Sequence, residues 1–243
     1  MTDGSPAALA LGAIPEREVW VSNLTAGGAA VALGSLGVTA TSVLYALSPP
    51  AAALPAQPFD HALALAGAVA GARTMFGAGT VGIFSDIVMA VGALLVASEL
   101  ARRGRGIAAA GWIAILLSIV VFTFVDAIVG YVLGPVAAMR DGIAAFTGFK
   151  RLFDVLFLLG TTAFGGGAML ALANEIMRPA APMVSRPVAL AGALTGLAGV
   201  LAAAACFAGF PLEQGVGISI GLGSAVFVVI GVEIMLKSRQ VTR

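Results

Sequence analysis

Four carboxylic acids lie inside long apolar stretches of this chain, and they are the residues best able to do chemistry. They are Asp86, Asp126, Asp154 and Glu233. An ionisable group inside a membrane-spanning segment is costly to bury, so it usually serves an ion, a proton or a specific partner. The neighbours of each acid therefore indicate whether its role is functional or structural.

Asp86 and Asp126 have the strongest case for a shared site. Side chains three or four residues apart share one face of a helix. The small neighbours on the face of Asp126 are Thr123, Gly130 and Gly134. Both acids lie roughly 5 Å to the same side of their span centres, at about 1.5 Å per residue, so they can meet. Two interpretations stay open: a proton- or cation-responsive site, or a structural hydrogen bond from Asp126 to a Ser, Thr or Tyr.

Asp154 and Glu233 each have a lysine four residues away. The partners are Lys150 and Lys237, and this spacing favours ion pairs at helix ends. Asp154 still belongs to the candidate site because the helical face that begins at Asp154 carries threonines further along the same span. The candidate intramembrane polar site comprises Asp86, Thr123, Asp126 and Asp154.

Six apolar stretches are long enough to position these acids across a membrane. The chain is 60% hydrophobic and 10% charged, and a spanning helix needs about 20 mostly apolar residues. We predict an all-α membrane protein with one domain over residues 1–243, a bundle of six transmembrane helices. The predicted spans are 23–47, 80–100, 107–136, 151–174, 187–209 and 214–236.

The longest connection runs between the first two predicted spans. Its proline-rich start cannot form regular helix, because proline removes a donor and fixes φ. Residues 59–76 are apolar but carry charged groups and are short for a span. We predict an extra interfacial helix there, in the first outer loop. A re-entrant segment and a seventh span are the alternatives.

Small residues recur at helical spacing in several spans, which favours close helix packing in lipid. Three consecutive glycines in the fourth span need a reason, since each costs about 1 kcal/mol against alanine. Close packing and a flexible hinge are both open. The candidate packing or hinge residues are Gly130, Gly134, Gly165, Gly166, Gly167, Gly217 and Gly221.

The composition excludes several classes of function. His61 is the only histidine, so a bis-histidine haem or a histidine-rich metal site is excluded. Cys206 is the only cysteine and lies in an apolar run, which is typical of a small buried hydrophobe. The formal net charge is +1 without a polybasic tract, which argues against nucleic-acid binding. We predict no catalytic residue, cofactor or metal, and an enzyme is the least favoured class.

The layout from about residue 80 onward resembles a known membrane family. One acid, Asp86, lies near the start of the second span, in FSDIVMAVGALLVASELARRG. Another acid, Asp126, lies late in the third span, in FTFVDAIVG. The fourth span ends in NEIMRP, and the fifth begins RPVALAGALTG. This pattern is similar to a family of uncharacterised bacterial six-helix membrane proteins, a domain of unknown function. The resemblance implies six spans and no established activity, so it assigns no functional residue.

Two functions remain for such a protein in the inner membrane of a bacterium. One is small-solute or ion transport, with the buried acids in a polar cavity. The other is a non-catalytic membrane subunit or sensor whose acids only fix helix packing. The expected partners are the lipid bilayer and either further copies of the chain or another membrane subunit. A water-accessible cavity at the acids would favour transport. A dry, fully packed pair of acids would favour the structural role.

We expect both termini to lie in the cytoplasm, because cytoplasmic loops are rich in Lys and Arg. Nine basic residues fall on the side of the termini: Arg17, Arg102, Arg103, Arg105, Arg178, Arg186, Lys237, Arg239 and Arg243. Four fall on the other side: Arg73, Arg140, Lys150 and Arg151. A reporter that is active only outside the cytoplasm, fused after Arg243, should be inactive. Strong reporter activity would reverse the topology.

Overall fold

Six helices make up the part of the chain that the computed structural model describes, residues 16–47, 61–177, 182–210 and 212–240. No strand occurs among these residues. The helices are α1 Glu16–Ala46, α2 His61–Arg102, α3 Gly106–Ala137, α4 Ile143–Met177, α5 Arg186–Phe207 and α6 Glu213–Gln240. All six are long and apolar enough to cross a membrane, as the sequence predicts.

The structure differs from the prediction at the start of α2. Residues 59–76 were expected to form a separate interfacial helix, and residues 59 and 60 lie outside the described part. The remainder belongs to α2, which runs without a break from His61 to Arg102. The helix continues because no proline interrupts this stretch and because its side chains pack on α3. The span predicted at 80–100 is therefore the second half of a longer helix.

The helices form a closed ring in chain order. Each packs against its neighbours along the chain, and α6 closes the ring against α1. Two hydrogen-bonded hydroxyl pairs join α1 and α6: Thr25 with Ser238 at 2.7 Å and Thr39 with Ser224 at 2.9 Å. The first pair places the start of α1 and the end of α6 at the same end of the bundle.

Backbone contacts at glycine hold the ring together. In four pairs, a Cβ on the first glycine would come within 2.7 Å of a backbone atom of the second. These pairs join α1 to α6, α2 to α3, α3 to α4 and α4 to α5: Gly28 with Gly231, Gly79 with Gly130, Gly111 with Gly167, and Gly165 with Gly196. Such close approach is the usual basis of helix association in lipid.

The other candidate glycines have looser surroundings. A Cβ on Gly134 would lie 3.2 Å from the Cβ of Ala72, and one on Gly221 would lie 3.8 Å from the Cβ of Ser42. Gly166 faces open space, and Gly217 is half-buried. The helix α4 continues through its three central glycines. The structure thus uses Gly165 and Gly167 for packing and shows no break beside them.

Three helices extend beyond the others at the end away from the termini. Gly37 of α1 lies beside Ser85 and α1 ends at Ala46, so α2, which starts at His61, begins beyond the end of α1. With 42 residues, α2 is about 63 Å long, roughly twice the hydrocarbon thickness of a bilayer. The buried apolar residues of the extension come from α2, α3 and α4: Ala64, Ala68, Leu133, Ala137 and Phe146. Apolar composition in these segments therefore reflects helix packing as well as span length.

The opposite end is fixed by carboxylates that hold the start of α5. Glu175 pairs with Arg105 and accepts the backbone N–H of Met183 at 2.8 Å. Glu233 accepts the backbone N–H and the hydroxyl of Ser185, the latter at 2.6 Å. Both acids near the ends of their helices thus bind the loop that leads into α5.

Replacing Gly231 with alanine should destabilise the ring. Its Cβ would lie 2.5 Å from the backbone N of Ala32 and 2.6 Å from the carbonyl O of Gly28, and overpacking of this kind costs about 1–3 kcal/mol. Gly221→Ala, on the same helix, meets nothing closer than 3.8 Å and should be neutral or slightly stabilising. Unfolding in detergent, followed by circular dichroism, measures both. Equal stability of the two variants would contradict the close approach of α1 and α6.

Candidate functional site

Asp126 makes a hydrogen bond to α1, and its carboxyl group fills the space that a glycine leaves on α2. The Tyr45 hydroxyl, at the end of α1, donates to Oδ1 of Asp126 at 2.5 Å. Oδ2 of Asp126 lies only 1.9 Å from the position that a Cβ on Gly82 would occupy. Only glycine at position 82 leaves room for this carboxyl group. Asp126 is 7% exposed, so its place is enclosed.

Asp86 lies one turn further along α2 and is the more deeply buried acid, with 2% of its surface exposed. It contacts the hydroxyl of Thr123 and lies close enough to Asp126 and Tyr45 to interact with both electrostatically. The Thr123 hydroxyl donates to the carbonyl of Ile119 at 3.0 Å. The same hydroxyl lies within hydrogen-bond reach of the Asp86 carboxyl group and can donate to it instead. The structure thus brings three of the four candidate polar residues together.

One oxygen of Asp86 has no partner. Its Oδ2 lacks a hydrogen bond among the residues that the structure describes. Asp86 lines a cavity of about 20 Å³ in the centre of the ring, with Ser224 as the other polar wall. The apolar walls come from α1, α2, α3, α4 and α6: Val38, Met89, Ile119, Phe122, Phe164 and Ile220. A cavity of this size holds about one water molecule.

The arrangement favours a guest that is positively charged or donates hydrogen bonds. Two neighbouring carboxyl groups in an apolar interior repel each other when both are charged, and an unpaired buried charge is costly. Protonation of one of the two acids removes that cost. A water molecule in the cavity would supply the partner that Oδ2 lacks. Proton binding and release is therefore the chemistry that this pair can do.

A short π-helical stretch, Ile128–Leu133, begins just after Asp126. Such stretches are rare and often lie at functional sites. Here the stretch packs on α2, where Gly130 approaches Gly79 and the Tyr131 hydroxyl pairs with that of Thr80 at 2.9 Å. Asp126 belongs to the regular helical segment Gly106–Ala127 that precedes this wider turn. No residue pattern in the sequence indicates this turn.

Asp154 does not reach the other acids' cavity. It forms an ion pair with Lys150 in the extended part of α4, and the Lys150 ammonium lies 4.7 Å from the centre of the Phe153 ring. Lys150 is buried there, so the pair is part of the packing of that end. Glu233 lies at the opposite end, 3.8 Å from Lys237 and bonded to Ser185.

Sequence reasoning overlooked two members of the site. Tyr45 reads as an aromatic residue at the membrane surface, yet it donates to an acid 81 positions away. Gly82 appears in the sequence only as a small neighbour on the face of Asp86. A tyrosine at the end of one span and a glycine one turn before an acid are weak signals, because both are frequent in membrane helices.

Comparisons with known proteins assign no function to this site. No protein-family model, no curated protein and no solved structure matches this chain. The resemblance to a family of uncharacterised bacterial membrane proteins stays a prediction.

Asp126→Leu should destabilise the protein by about 1–3 kcal/mol, because the buried Tyr45 hydroxyl loses its acceptor. Asp126→Asn keeps an acceptor oxygen and should cost much less. Unfolding of both variants in detergent tests this. Combining Asp126→Leu with Tyr45→Phe serves as the control, since with the hydroxyl absent the leucine should add little further loss. A leucine variant as stable as the wild type would mean that the bond contributes nothing.

Proposed function

We propose that this chain is a multi-pass protein of the bacterial inner membrane that moves protons or couples to them. Asp86 and Asp126 bind and release the proton inside the helix bundle. The observation that carries the proposal concerns Asp86, whose buried Oδ2 has no hydrogen-bond partner among the described residues and which lines a small cavity beside a second acid. A carboxyl oxygen left without a partner in the interior needs a ligand, and the smallest one is a proton with its water.

The size and walls of the cavity favour a proton over a larger solute. With about 20 Å³ there is room for about one water molecule, so no organic solute fits the conformation described here. Metal cations need several oxygen ligands to replace their hydration shell. Only Asp86 and Ser224 offer side-chain oxygens to this cavity. In this proposal, the structure represents a closed state in which the acids are shielded from water.

A structural role is the competing proposal, and one observation favours it. Tyr45, Gly82 and Asp126 join α1, α2 and α3 in one compact contact. Such a contact fixes the helices whether or not a proton moves, as in a membrane subunit or sensor. The two roles predict different behaviour of Asp86, because it makes no comparable bond to a neighbouring helix with its Oδ2.

Asp86→Asn should keep the fold and abolish proton movement, since an amide can accept hydrogen bonds but cannot exchange a proton in this way. Protein in liposomes with an internal pH-sensitive dye should dissipate an imposed proton gradient, and the Asn variant should not. Infrared spectra in nanodiscs should show a carboxylic-acid carbonyl band that changes with pH and is lost in Asp86→Asn.

The matched control is Asp141→Asn, which alters an exposed acid in the loop between α3 and α4 and should leave both signals unchanged. Absence of the band in the wild-type protein, together with equal gradient decay in liposomes with and without protein, would leave only the structural role.

A further inference from the structure

We propose that the proton reaches Asp86 through a second, hydroxyl-lined cavity between α4, α5 and α6, across a partition formed by Phe164 and Ile220. This inference rests on the proposed function, because it names the route to the same acid. It concerns residues outside the Tyr45–Asp126 contact, and its failure can be separated from failure of proton binding itself.

The second cavity has a volume of about 10 Å³, close to the space of one water molecule. Its polar walls are three hydroxyls, one from each of the helices α4, α5 and α6: Thr161, Thr195 and Ser219. Glycines form much of the remaining wall: Gly165, Gly196, Gly199 and Gly223. Gly165 and Gly196 bring α4 and α5 into contact, whereas a Cβ on Gly199 or Gly223 would approach side chains that line the cavity.

The hydroxyls face this cavity as acceptors. Each donates its own hydrogen to a backbone carbonyl of its helix: Thr161 to Phe157 at 2.8 Å, Thr195 to Gly192 at 3.0 Å, and Ser219 to Val216 at 2.7 Å. Their lone pairs remain for a guest that donates hydrogen bonds. A water molecule or a protonated water meets this requirement, and an anion does not.

Phe164 and Ile220 line both cavities. These two side chains therefore stand between the hydroxyl-lined cavity and Asp86. Phe164 packs against Phe227 with ring centres 4.9 Å apart. A change in the tilt of the Phe164 ring would connect the cavities, so this ring is the movable part of the partition.

The other approaches to Asp86 are more crowded. On the side of α1 and α3, it faces Tyr45 and Asp126, which are bonded to each other and packed on Gly82. On the side of α4 and α6, the cavity walls are Phe164, Ile220 and Ser224, so no titratable side chain among the described lining residues competes for the proton. A proton that arrives from α4 and α6 therefore meets Asp86 first.

Gly223→Ala tests the route with minimal strain. Its Cβ would enter the second cavity and lie 3.7 Å from Cε1 of Phe164 and 3.9 Å from Oγ1 of Thr195, both ordinary contacts. Gly221→Ala is the matched control, since it adds the same methyl to the same helix, 3.8 Å from the Cβ of Ser42 and outside the cavity. Circular dichroism and size-exclusion chromatography verify that both variants fold.

The measurement is the rate at which the Asp86 carboxylic-acid band responds to a rapid pH change, followed by time-resolved infrared spectroscopy in nanodiscs. Gly223→Ala should slow this rate roughly tenfold, with the final amplitude unchanged. Gly221→Ala should match the wild type. Phe164→Leu, which keeps an apolar side chain but removes the ring, should accelerate the response.

The outcomes separate the two proposals. A band that titrates normally but responds at the wild-type rate in Gly223→Ala would overturn the route and leave the proposed function intact. Equal slowing in Gly221→Ala would also overturn the route, since the effect would then reflect helix packing in general. Absence of any titrating band in the wild type would overturn proton binding itself.

Discussion

Close approach of helix backbones at glycine is the contact on which the rest of this structure depends. Lipid is as apolar as leucine, so burying large side chains between helices gains little in a membrane, and packing at small residues takes over. Many large apolar side chains accordingly face outward, as Leu33, Leu117 and Leu194 do. The contact of Gly28 with Gly231 closes the ring, and that closure encloses the acids.

Enclosure makes hydrogen bonding inside the ring a strict requirement, and most interior hydroxyls meet it within their own helix. Ser118 and Thr161 each donate to a carbonyl one turn earlier. Two buried side-chain oxygens lack a partner among the described residues, Oδ2 of Asp86 and Oε2 of Glu99. Glu99 is near a helix end and its other oxygen binds Arg103 at 2.7 Å. Asp86 lies in mid-bundle beside a second acid, which is why it and not Glu99 forms the centre of the site.

The sequence predicts six helices well, because length and apolar composition alone indicate them. It places the start of α2 too late, since an apolar pattern cannot distinguish a segment facing lipid from one packed on neighbouring helices. Helical periodicity brings Asp86 and Asp126 to small-residue faces at matching depth. Periodicity cannot find Tyr45, because that contact depends on how α1 is rotated against α3. The same limit applies to Glu175 and Arg105, which are 70 positions apart and meet only when α3 packs on α4.

The two acids at the centre have unequal surroundings, and this inequality makes directed proton exchange physically reasonable. Asp126 is held by Tyr45 and by the space at Gly82, so moving it would break a bond and disturb three helices. Asp86 lines a cavity, and its Oδ2 makes no hydrogen bond among the described residues, so it can gain or lose a ligand without such disturbance. In the proposed function, Asp86 is therefore the acid that gains and loses a ligand most readily, beside an Asp126 that stays bound to Tyr45.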